Sequence, residues 1–300
     1  MIRYRGFTKR FGQHVAVDGL TLDAAAGAVV ALLGPNGSGK TTSIKAAAGL
    51  VRPSGGEVVL GAEGLPAWSA QARRLCSFLP QRVSFPAALT GREVVEFYRR
   101  LRQAPVDASA RVLAFASLNG AGAEPVATYS GGMVQRLGLA VSMLTDSGLL
   151  LLDEPTAALD PEGLGAFYGL IESRRRAGGT VFFSSHQLGD VERLADQIAI
   201  LVGGRLTTVV TARELSARLA DRGVMRVRLG ARIDGLLEQV QALSAGAMWA
   251  GEELVLPGAA SQRPQLLDVV RQAGAEILAL TAEEGRLDAF YRELVAQGRT

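Results

Sequence analysis

The sequence predicts an α/β fold built on a mixed sheet and followed by a small α+β domain. Two apolar runs, residues 29–33 and 149–152, have the composition of strands that are buried on both faces, and polar or glycine-rich residues follow each run. After about residue 211, strand-like and helix-like patterns alternate in the order β-α-β-α-β. We therefore expect a larger domain over residues 1–211 and a smaller one over residues 212–300.

The amino-terminal part of the larger domain is expected to form an antiparallel β-subdomain beside the mixed sheet. The first thirty residues are rich in β-forming residues, and a turn is expected at Phe11 and Gly12. A helix is predicted from residue 40 to about residue 48, because the glycine that follows suits a helix end. Residues 53–56 (Pro-Ser-Gly-Gly) predict a turn between β-prone segments.

A helical subdomain is predicted over about residues 84–145. Residues 92–101 carry apolar side chains at near-helical spacing, and Ser130 is suited to cap a helix that runs to about residue 144. Farther along, a short helix is expected at 190–195 and a pair of strands within 197–206, with a Gly-Gly turn between them.

The smaller domain is predicted from its secondary-structure patterns alone. Its expected elements are strand 224–229, helix 236–243, strand 253–256, helix 264–273, strand 277–280 and helix 287–295. No residues in it form a nucleotide-binding or metal-binding pattern. We expect this domain to support a dimer or to bind a partner.

A phosphate-binding loop is predicted directly after the first buried run. The pattern G-x-x-x-x-G-K-[ST] is matched by Gly34, Pro35, Asn36, Gly37, Ser38, Gly39, Lys40, Thr41 and Thr42. The glycines allow backbone N–H groups to face phosphate oxygens, and the helix that follows directs its positive end toward them. Lys40 is expected to bind the β- and γ-phosphates, and Thr41 to offer its hydroxyl to Mg²⁺. The alternative is a glycine-rich turn with a surface lysine.

Two adjacent carboxylates follow the second buried run. Asp153 and Glu154 come directly after four leucines, where the carboxyl end of a parallel strand would bring them to a ligand crevice. Two carboxylates would be costly as core residues. Asp153 is therefore interpreted as the partner of Mg²⁺ and Glu154 as the base that polarises an attacking water. The alternative is a strand that simply ends in an acidic turn.

A third segment makes the interpretation specific. Ser130, Gly131 and Gly132, between Tyr129 and Met133, resemble the LSGGQ signature of the ATP-binding-cassette (ABC) ATPases, and they follow the phosphate loop in family order. The resemblance covers residues 1 to about 210 and implies that ATP and Mg²⁺ are the cofactors. Tyr129 stands where the family has Leu, and Met133 where it has Gln. Neither departure removes the serine or the glycines that approach phosphate, so they put the hydrolysis rate in question and not ATP binding.

The same resemblance assigns roles to four further residues. It implies that Phe11 stacks on adenine, that Gln81 senses Mg²⁺ and the membrane partner, that Asp160 belongs to a loop crossing between subunits, and that His186 contacts the γ-phosphate. Each has an ordinary alternative: Phe11 as a core aromatic of a strand, Gln81 as a polar residue after a proline, and His186 as a structural histidine. His14 is expected to be a surface residue.

The resemblance also implies an assembly. In this family, the signature of one subunit closes over the ATP that the other subunit holds, so a homodimer with two ATP molecules at its interface is expected. Hydrolysis would then open the dimer and move a transmembrane permease subunit, docked near Gln81 and the following helical region. The chain is accordingly expected to be an ATPase coupled to transport, with Lys40, Gln81, Glu154 and His186 as its catalytic residues.

Four segments, residues 39–45, 78–85, 89–93 and 129–138, resemble the ATPases of copper-related transporters for nitrous-oxide-reductase maturation. A generic ABC-2-type exporter of drug, lipid or polysaccharide is the alternative, and a soluble ABC protein without a transport role is a further one. Copper(I) prefers thiolate and thioether ligands. The chain has one cysteine, Cys76, and five scattered methionines, so no direct copper binding is expected in this subunit.

Composition limits the location and the other partners. Charged residues make up 20% of the chain and the net charge is +3, without a basic block carrying aromatic residues, so nucleic-acid binding is not expected. There is no run of eighteen apolar residues and no signal-peptide core at the amino terminus. The expected location is the cytoplasm, at the inner face of the cell membrane.

Overall fold

A computed structural model describes residues 1–118, 120–220 and 223–283. The chain divides into two compact units, residues 1–212 and residues 213–300. The strands of the first unit are β1 (Ile2–Phe11), β2 (His14–Ala24), β3 (Val29–Leu33), β4 (Gly55–Leu60), β5 (Leu65–Pro66), β6 (Cys76–Leu79), β7 (Leu149–Leu152), β8 (Thr180–Ser185), β9 (Gln197–Val202) and β10 (Arg205–Val210). Its helices are α1 (Lys40–Ala47), α2 (Ala70–Arg74), α3 (Gly91–Leu101), α4 (Ala108–Phe115), α5 (Gly131–Ser142), α6 (Pro161–Arg176) and α7 (Leu188–Leu194).

The centre of the first unit is the predicted mixed sheet. Its strand order is β10-β9-β3-β8-β7-β6, and all neighbours are parallel except the β9–β10 pair. Every residue of β3, β7 and β8 is buried, which explains why these strands are continuous apolar runs in the sequence. Leu33 pairs with Ser185, and Leu152 pairs with Phe183. The register therefore brings the ends of these three strands to one edge.

The antiparallel β-subdomain has the strand order β2-β1-β4-β5. The buried rings of Tyr4 and Phe7 lie 5.7 Å apart, and Tyr4 lies 6.0 Å from Phe182 of the mixed sheet. Burial of each aromatic ring stabilises the fold by about 1.5–3 kcal/mol. The Tyr4 hydroxyl donates a hydrogen bond of 2.8 Å to the carbonyl of Ser43, so the two sheets together hold α1 in place.

The helical subdomain has its own apolar core. Thr90 and Glu93 form a capping box that fixes the start of α3 at Gly91. Val94 and Val95 face the core, together with residues of α4 and α5. Phe97, which shares the helix with them, is 57% exposed. The predicted helical pattern is confirmed here, but its apolar residues lie on two faces of the helix, and only one of these faces packs inside.

The second unit begins with α8 (Ala212–Ala220) and contains a four-stranded antiparallel sheet of order β12-β13-β11-β14. Its elements are β11 (Val224–Leu229), α9 (Leu236–Gln241), β12 (Met248–Ala250), β13 (Glu253–Pro257), α10 (Arg263–Gln272) and β14 (Ile277–Glu283). The sequence analysis missed β12, because three residues are too few to show alternation. The helix predicted at 287–295 lies outside the described residues. In the described part of the chain, no helix is both long and apolar enough to cross a membrane.

Candidate functional site

The loop between β3 and α1 can be built only with glycine at two of its positions. A Cβ atom on Gly34 would lie 2.4 Å from the carbonyl oxygen of Leu201, and one on Gly39 would lie 2.7 Å from that of Ala16. Gly39 also has a φ of 97°, in the left-handed region that side chains disfavour. The loop therefore approaches β2 and β9 closely, and its backbone ends at the amino terminus of α1.

Lys40 is the first residue of α1 and its ammonium is buried. Its Nζ donates hydrogen bonds to the carbonyl oxygens of Gly34 at 2.7 Å and Pro35 at 3.2 Å, and it lies 3.3 Å from Oε1 of Glu154. The Lys40 side chain is 5% exposed and the Glu154 side chain 6%. A buried cation that the loop surrounds with oxygens is suited to neutralise phosphate charge at the same place. The alternative of a surface lysine is wrong.

Asp153 lies beside the loop with one oxygen engaged. Its Oδ1 accepts hydrogen bonds from the Thr41 hydroxyl at 3.1 Å and the Ser184 hydroxyl at 2.7 Å. Its Oδ2 is buried and has no hydrogen-bond partner in the described chain. Burial raises the pKa of the Asp153 carboxyl above its ordinary value. A hydroxyl and a carboxylate oxygen that lacks a partner are the donors that Mg²⁺ prefers, so the residues present fit this ion.

Glu154 is fixed by three neighbours. Its Oε2 lies 2.6 Å from Nδ1 of His186, its Oε1 faces Lys40, and its backbone N–H donates to Oγ of Ser184 at 2.9 Å. Its φ is 49°, a left-handed conformation that non-glycine residues seldom adopt. Such strain persists where the surrounding structure fixes it, and it concentrates at functional sites. Glu154 is thus held with its carboxylate beside the phosphate loop, and an acidic turn would not need these contacts.

Sequence reasoning missed the role of Ser184. Its hydroxyl donates to Asp153 and accepts from the backbone of Glu154, so one side chain joins the two neighbouring carboxylate residues. Ser184 is fully buried in β8, next to the strand that carries them. The signal in the sequence was the pair of serines at the end of an otherwise apolar strand, where a hydroxyl needs a polar partner.

Lys40, Thr41 and Glu154 lie at a cavity of about 350 Å³, whereas Asp153, Ser184 and His186 are not among its lining residues. The cavity is lined by His14, Ala16, Asn36, Gly37, Ser38, Gly39, Lys40, Thr41, Thr42, Gln81 and Glu154. The cavity thus includes most of the predicted phosphate loop as well as Gln81. His14 is exposed, as expected, but it lines this cavity, which was not predicted. A histidine in a hairpin carried no pattern that could have indicated this contact.

Phe11 lies at the end of β1 and pairs with His14 across the β1–β2 turn. Its ring is 51% exposed, so the alternative of a core aromatic is wrong. The ammonium of Lys9 lies 4.9 Å from the centre of the ring. An exposed aromatic ring near the mouth of the cavity leaves one face for a planar ligand group, as stacking on adenine requires.

The signature segment lies elsewhere on the first unit and does not line the cavity. The hydroxyl of Ser130 accepts a hydrogen bond of 3.2 Å from the backbone N–H of Met133 and caps α5, and Gly131 is exposed. A Cβ atom on Gly132 would lie 3.3 Å from the carbonyl of Ala158, so the segment adjoins the predicted inter-subunit loop. The exposed start of this helix therefore does not reach the cavity within one chain.

Asp160 connects that loop to the signature helix. Its Oδ1 caps α6 through the backbone N–H of Gly163 at 2.8 Å, and its Oδ2 lies 3.6 Å from the guanidinium of Arg136. Arg136 is buried in α5 and also lies 3.4 Å from Glu162. The signature helix and the start of α6 are therefore linked by ion pairs between one buried arginine and two exposed carboxylates.

The comparisons with known proteins agree with this geometry. Residues 17–157 match the family model described as "ABC transporter". The chain is 32% identical to the daunorubicin resistance ATP-binding protein DrrA3 of Streptomyces coeruleorubidus, over 98% of this chain and 95% of that protein. It is 36% identical to the Nod factor export ATP-binding protein I of Burkholderia lata, over 68% of each chain.

Solved structures give the same result for the fold. An ATP-binding subunit of an ABC transporter matches with a TM-score of 0.66 and 24% identity, over 73% of this chain and 92% of that one. A dimeric bacterial ABC transporter cassette matches with a TM-score of 0.63 and 25% identity, over 71% of this chain and 99% of that one. Proteins of this kind bind ATP, usually with Mg²⁺, and work as dimers with permease partners. The chain belongs to the ABC transporter family, as an ATP-binding subunit.

Proposed function

We propose that this subunit hydrolyses ATP to drive an export permease. The observation that carries the proposal is the position of Glu154, held between Lys40 and His186 beside the phosphate loop. Lys40 would neutralise the phosphates of bound ATP, and Thr41 and Asp153 would hold a Mg²⁺ ion that offsets their remaining charge. Glu154 accepts a proton from the attacking water, and His186 fixes the orientation of its carboxylate.

The direction and cargo are proposed from the relatives. Several are named for drug resistance or Nod factor export, and these include matches over nearly the whole chain. We propose an exporter of an amphipathic small molecule, which narrows the alternative interpretation of the sequence, a generic ABC-2-type exporter of drug, lipid or polysaccharide. Maturation of a copper enzyme is the second candidate, and it rests on the four resembling segments alone. No group of three metal-ligating side chains occurs among the described residues.

One experiment separates the two candidates. Deletion of the gene in an organism that has a nitrous oxide reductase is expected to leave that enzyme fully metallated and active, while tolerance to an exported amphipathic compound falls. A reductase that is folded but short of copper in the deletion strain would favour the second candidate. If neither phenotype appears, and the purified subunit with its permease hydrolyses no ATP, the proposed function is wrong.

A docking surface for the permease is proposed on α3. A groove of about 740 Å³ lies there, lined by Arg92, Glu93, Glu96, Phe97, Arg100 and Leu101. Phe97 and Leu101 are 57% and 66% exposed. Burying an apolar side chain of this size is favourable by about 1.5–3 kcal/mol, so a partner that covers these two residues would gain binding energy. A short amphipathic segment of the permease would cover them, with the charged residues of the groove at its rim.

Two phenylalanines of the helical subdomain are expected to respond differently to substitution. Phe97→Ser should leave thermal stability within about 0.5 kcal/mol, because the ring is exposed, yet uncouple ATP hydrolysis from transport. Phe85→Ala should lower stability by about 2 kcal/mol, because the half-buried ring packs edge-on against Tyr98 at 6.0 Å. Thermal melting and transport in reconstituted vesicles measure both effects. Uncoupling by Val209→Ser, a matched exposed site on β10, would argue against a specific docking surface.

Ser184→Ala is expected to lower kcat about tenfold with little change in KM. The variant removes the hydroxyl that accepts from the backbone N–H of Glu154 and donates to Asp153, so β8 no longer holds either carboxylate residue in place. The unsatisfied N–H also lowers the stability of the fold by about 1–3 kcal/mol. Ser185→Ala is the matched control, because the Ser185 hydroxyl donates to Gln187 and contacts neither carboxylate. Steady-state ATPase kinetics at saturating Mg²⁺ measure kcat and KM separately. An equal fall in kcat in both variants would mean that the substitutions disturb β8 as a whole and that the contact between Ser184 and Glu154 has no specific role.

A further inference from the structure

A second polar cavity lies at the opposite end of the mixed sheet from the phosphate loop. Its volume is about 530 Å³, and it is lined by Arg73, Arg74, Cys76, Leu101, Arg102, Gln103 and Thr145. Cys76 is the first residue of β6, whereas Asp153 follows the last residue of the neighbouring strand β7. Four residues of strand span roughly 13 Å, so this cavity is separate from the nucleotide site.

Three arginines from two different segments line this cavity, and of these Arg73 and Arg74 are exposed and Arg102 is half-buried. Arg73 and Arg74 end α2, and Arg102 follows α3. The lining residues include no carboxylate. Within residues 1–118, 120–220 and 223–283, none of the three arginines has a carboxylate oxygen within 4.0 Å. Arg99 and Arg100, which precede Arg102 in the sequence, differ in this respect because both form ion pairs with Glu96.

The other polar groups of the cavity do not neutralise this charge. Arg102 donates a hydrogen bond of 3.3 Å to the hydroxyl of Ser77, which is uncharged. Burial raises the pKa of the Cys76 thiol to about 11, even though Arg102 and Arg73 act in the opposite direction. The thiol is therefore neutral at physiological pH. Three positive charges face the cavity without an internal counter-ion.

Arginine at the end of a helix has an ordinary explanation, since it interacts favourably with the helix dipole. That explanation covers Arg73 and Arg74 at the end of α2. It also covers Arg102, which is the carboxyl-terminal cap of α3. What it does not explain is that arginines from the ends of two helices line one cavity with no carboxylate among the lining residues, where like charges repel. A bound anion removes the repulsion, and planar guanidinium groups match the oxygens of a phosphate in paired hydrogen bonds. The Thr145 hydroxyl and the Gln103 amide add uncharged donors.

We propose that this cavity is a second anion site, which binds a phosphate group through Arg73, Arg74 and Arg102 independently of the ATP site. The phosphate could belong to a lipid headgroup or to a free phosphate compound, since both present the same oxygens to the arginines. The proposal stands whether the cargo is a drug, a lipid or neither. It predicts a ligand-dependent change at Cys76, which lines the cavity.

Cys76 makes the test local, because it is the only cysteine of the chain. Alkylation of the full-length protein by neutral iodoacetamide is followed by intact mass at mildly alkaline pH, with inorganic phosphate or with chloride at equal ionic strength. Because Cys76 is buried and its raised pKa leaves only a small thiolate fraction, the reaction is slow and its rate is taken from a long time course. At about ten dissociation constants of phosphate, alkylation should slow about tenfold, because only the unliganded fraction reacts. Phosphate bound in the ATP cavity has no direct effect on this readout.

The variants Arg74→Glu and Arg176→Glu carry the same change in net charge. Arg176 is an exposed residue at the end of α6 and is not among the lining residues. Protection of Cys76 should vanish in the Arg74 variant and persist in the Arg176 variant. Arg102→Gln serves as a second cavity variant, with circular dichroism as the control for folding. Protection that is absent from the wild type, or equal in all variants, overturns the proposal.

Vesicles distinguish the two sources of phosphate. Phosphatidylcholine vesicles with added phosphatidic acid should protect Cys76 at lower total phosphate than the inorganic ion if the ligand is a headgroup. Protection by inorganic phosphate with no effect of phosphatidic acid assigns the site to a free phosphate compound. Either pattern supports the proposal. Equal protection by phosphatidylcholine vesicles with and without phosphatidic acid, together with no protection by inorganic phosphate, would contradict it, because a zwitterionic surface without net negative charge would then be covering the cavity.

Discussion

Replacing Glu154 by glutamine is expected to slow ATP hydrolysis by roughly 10²–10⁴-fold, the usual contribution of a positioned general base. ATP binding should persist, because Lys40 and Thr41 are unchanged. The amide keeps the shape of the side chain and can still bond to His186. It cannot take the proton of the attacking water, so the chemical step is the one that is lost. Single-turnover ATPase assays measure the rate, and a filter-binding assay measures the affinity.

The matched control is Glu172→Gln. Glu172 is an exposed carboxylate on α6 that forms an ion pair with Arg175. This variant should hydrolyse ATP at the rate of the wild type. With ATP bound and hydrolysis blocked, the Glu154 variant should also elute as a dimer in size-exclusion chromatography, since each nucleotide would contact both subunits. Undiminished turnover in Glu154→Gln would remove this residue from the mechanism and leave His186 as the next group to test.

The site could be predicted from the sequence because its parts are short motifs attached to buried strands. Val29–Leu33 and Leu149–Leu152 are apolar throughout, so their ends could be recognised and the polar residues after them placed at one sheet edge. The structure adds the hydrogen bonds and ion pairs among these residues, which cannot be read from their spacing along the chain. The link from Ser184 to Glu154 depends on the register between β7 and β8.

Other features could not be predicted, for reasons that are equally physical. His14 reaches the nucleotide cavity because the β1–β2 hairpin lies against the phosphate loop, a tertiary contact between segments about twenty residues apart. The three arginines of the second cavity come from two segments whose convergence depends on how α2 and α3 pack. β12 was missed because a three-residue strand has no period to detect.

Lys40→Ala is expected to abolish ATP binding and also to lower the stability of the nucleotide-free protein. Loss of the ammonium removes the charge that neutralises the phosphates. It also leaves Glu154 as a buried carboxylate without its cation, since both side chains are about 95% buried. Removing one partner of a buried ion pair costs about 3–5 kcal/mol, and the contact with His186 favours the lower end of this range.

A double-mutant cycle isolates the Lys40–Glu154 pair from the other contacts of each residue. Urea unfolding without nucleotide is measured for Lys40→Ala, Glu154→Gln and the double variant. The double variant should be more stable than the sum of the single effects predicts, by about 1–3 kcal/mol, because glutamine leaves no buried charge to be neutralised. The lost hydrogen bonds to Gly34 and Pro35 cancel in the cycle. Additive effects would mean that Lys40 is held by its own loop and does not neutralise the catalytic carboxylate.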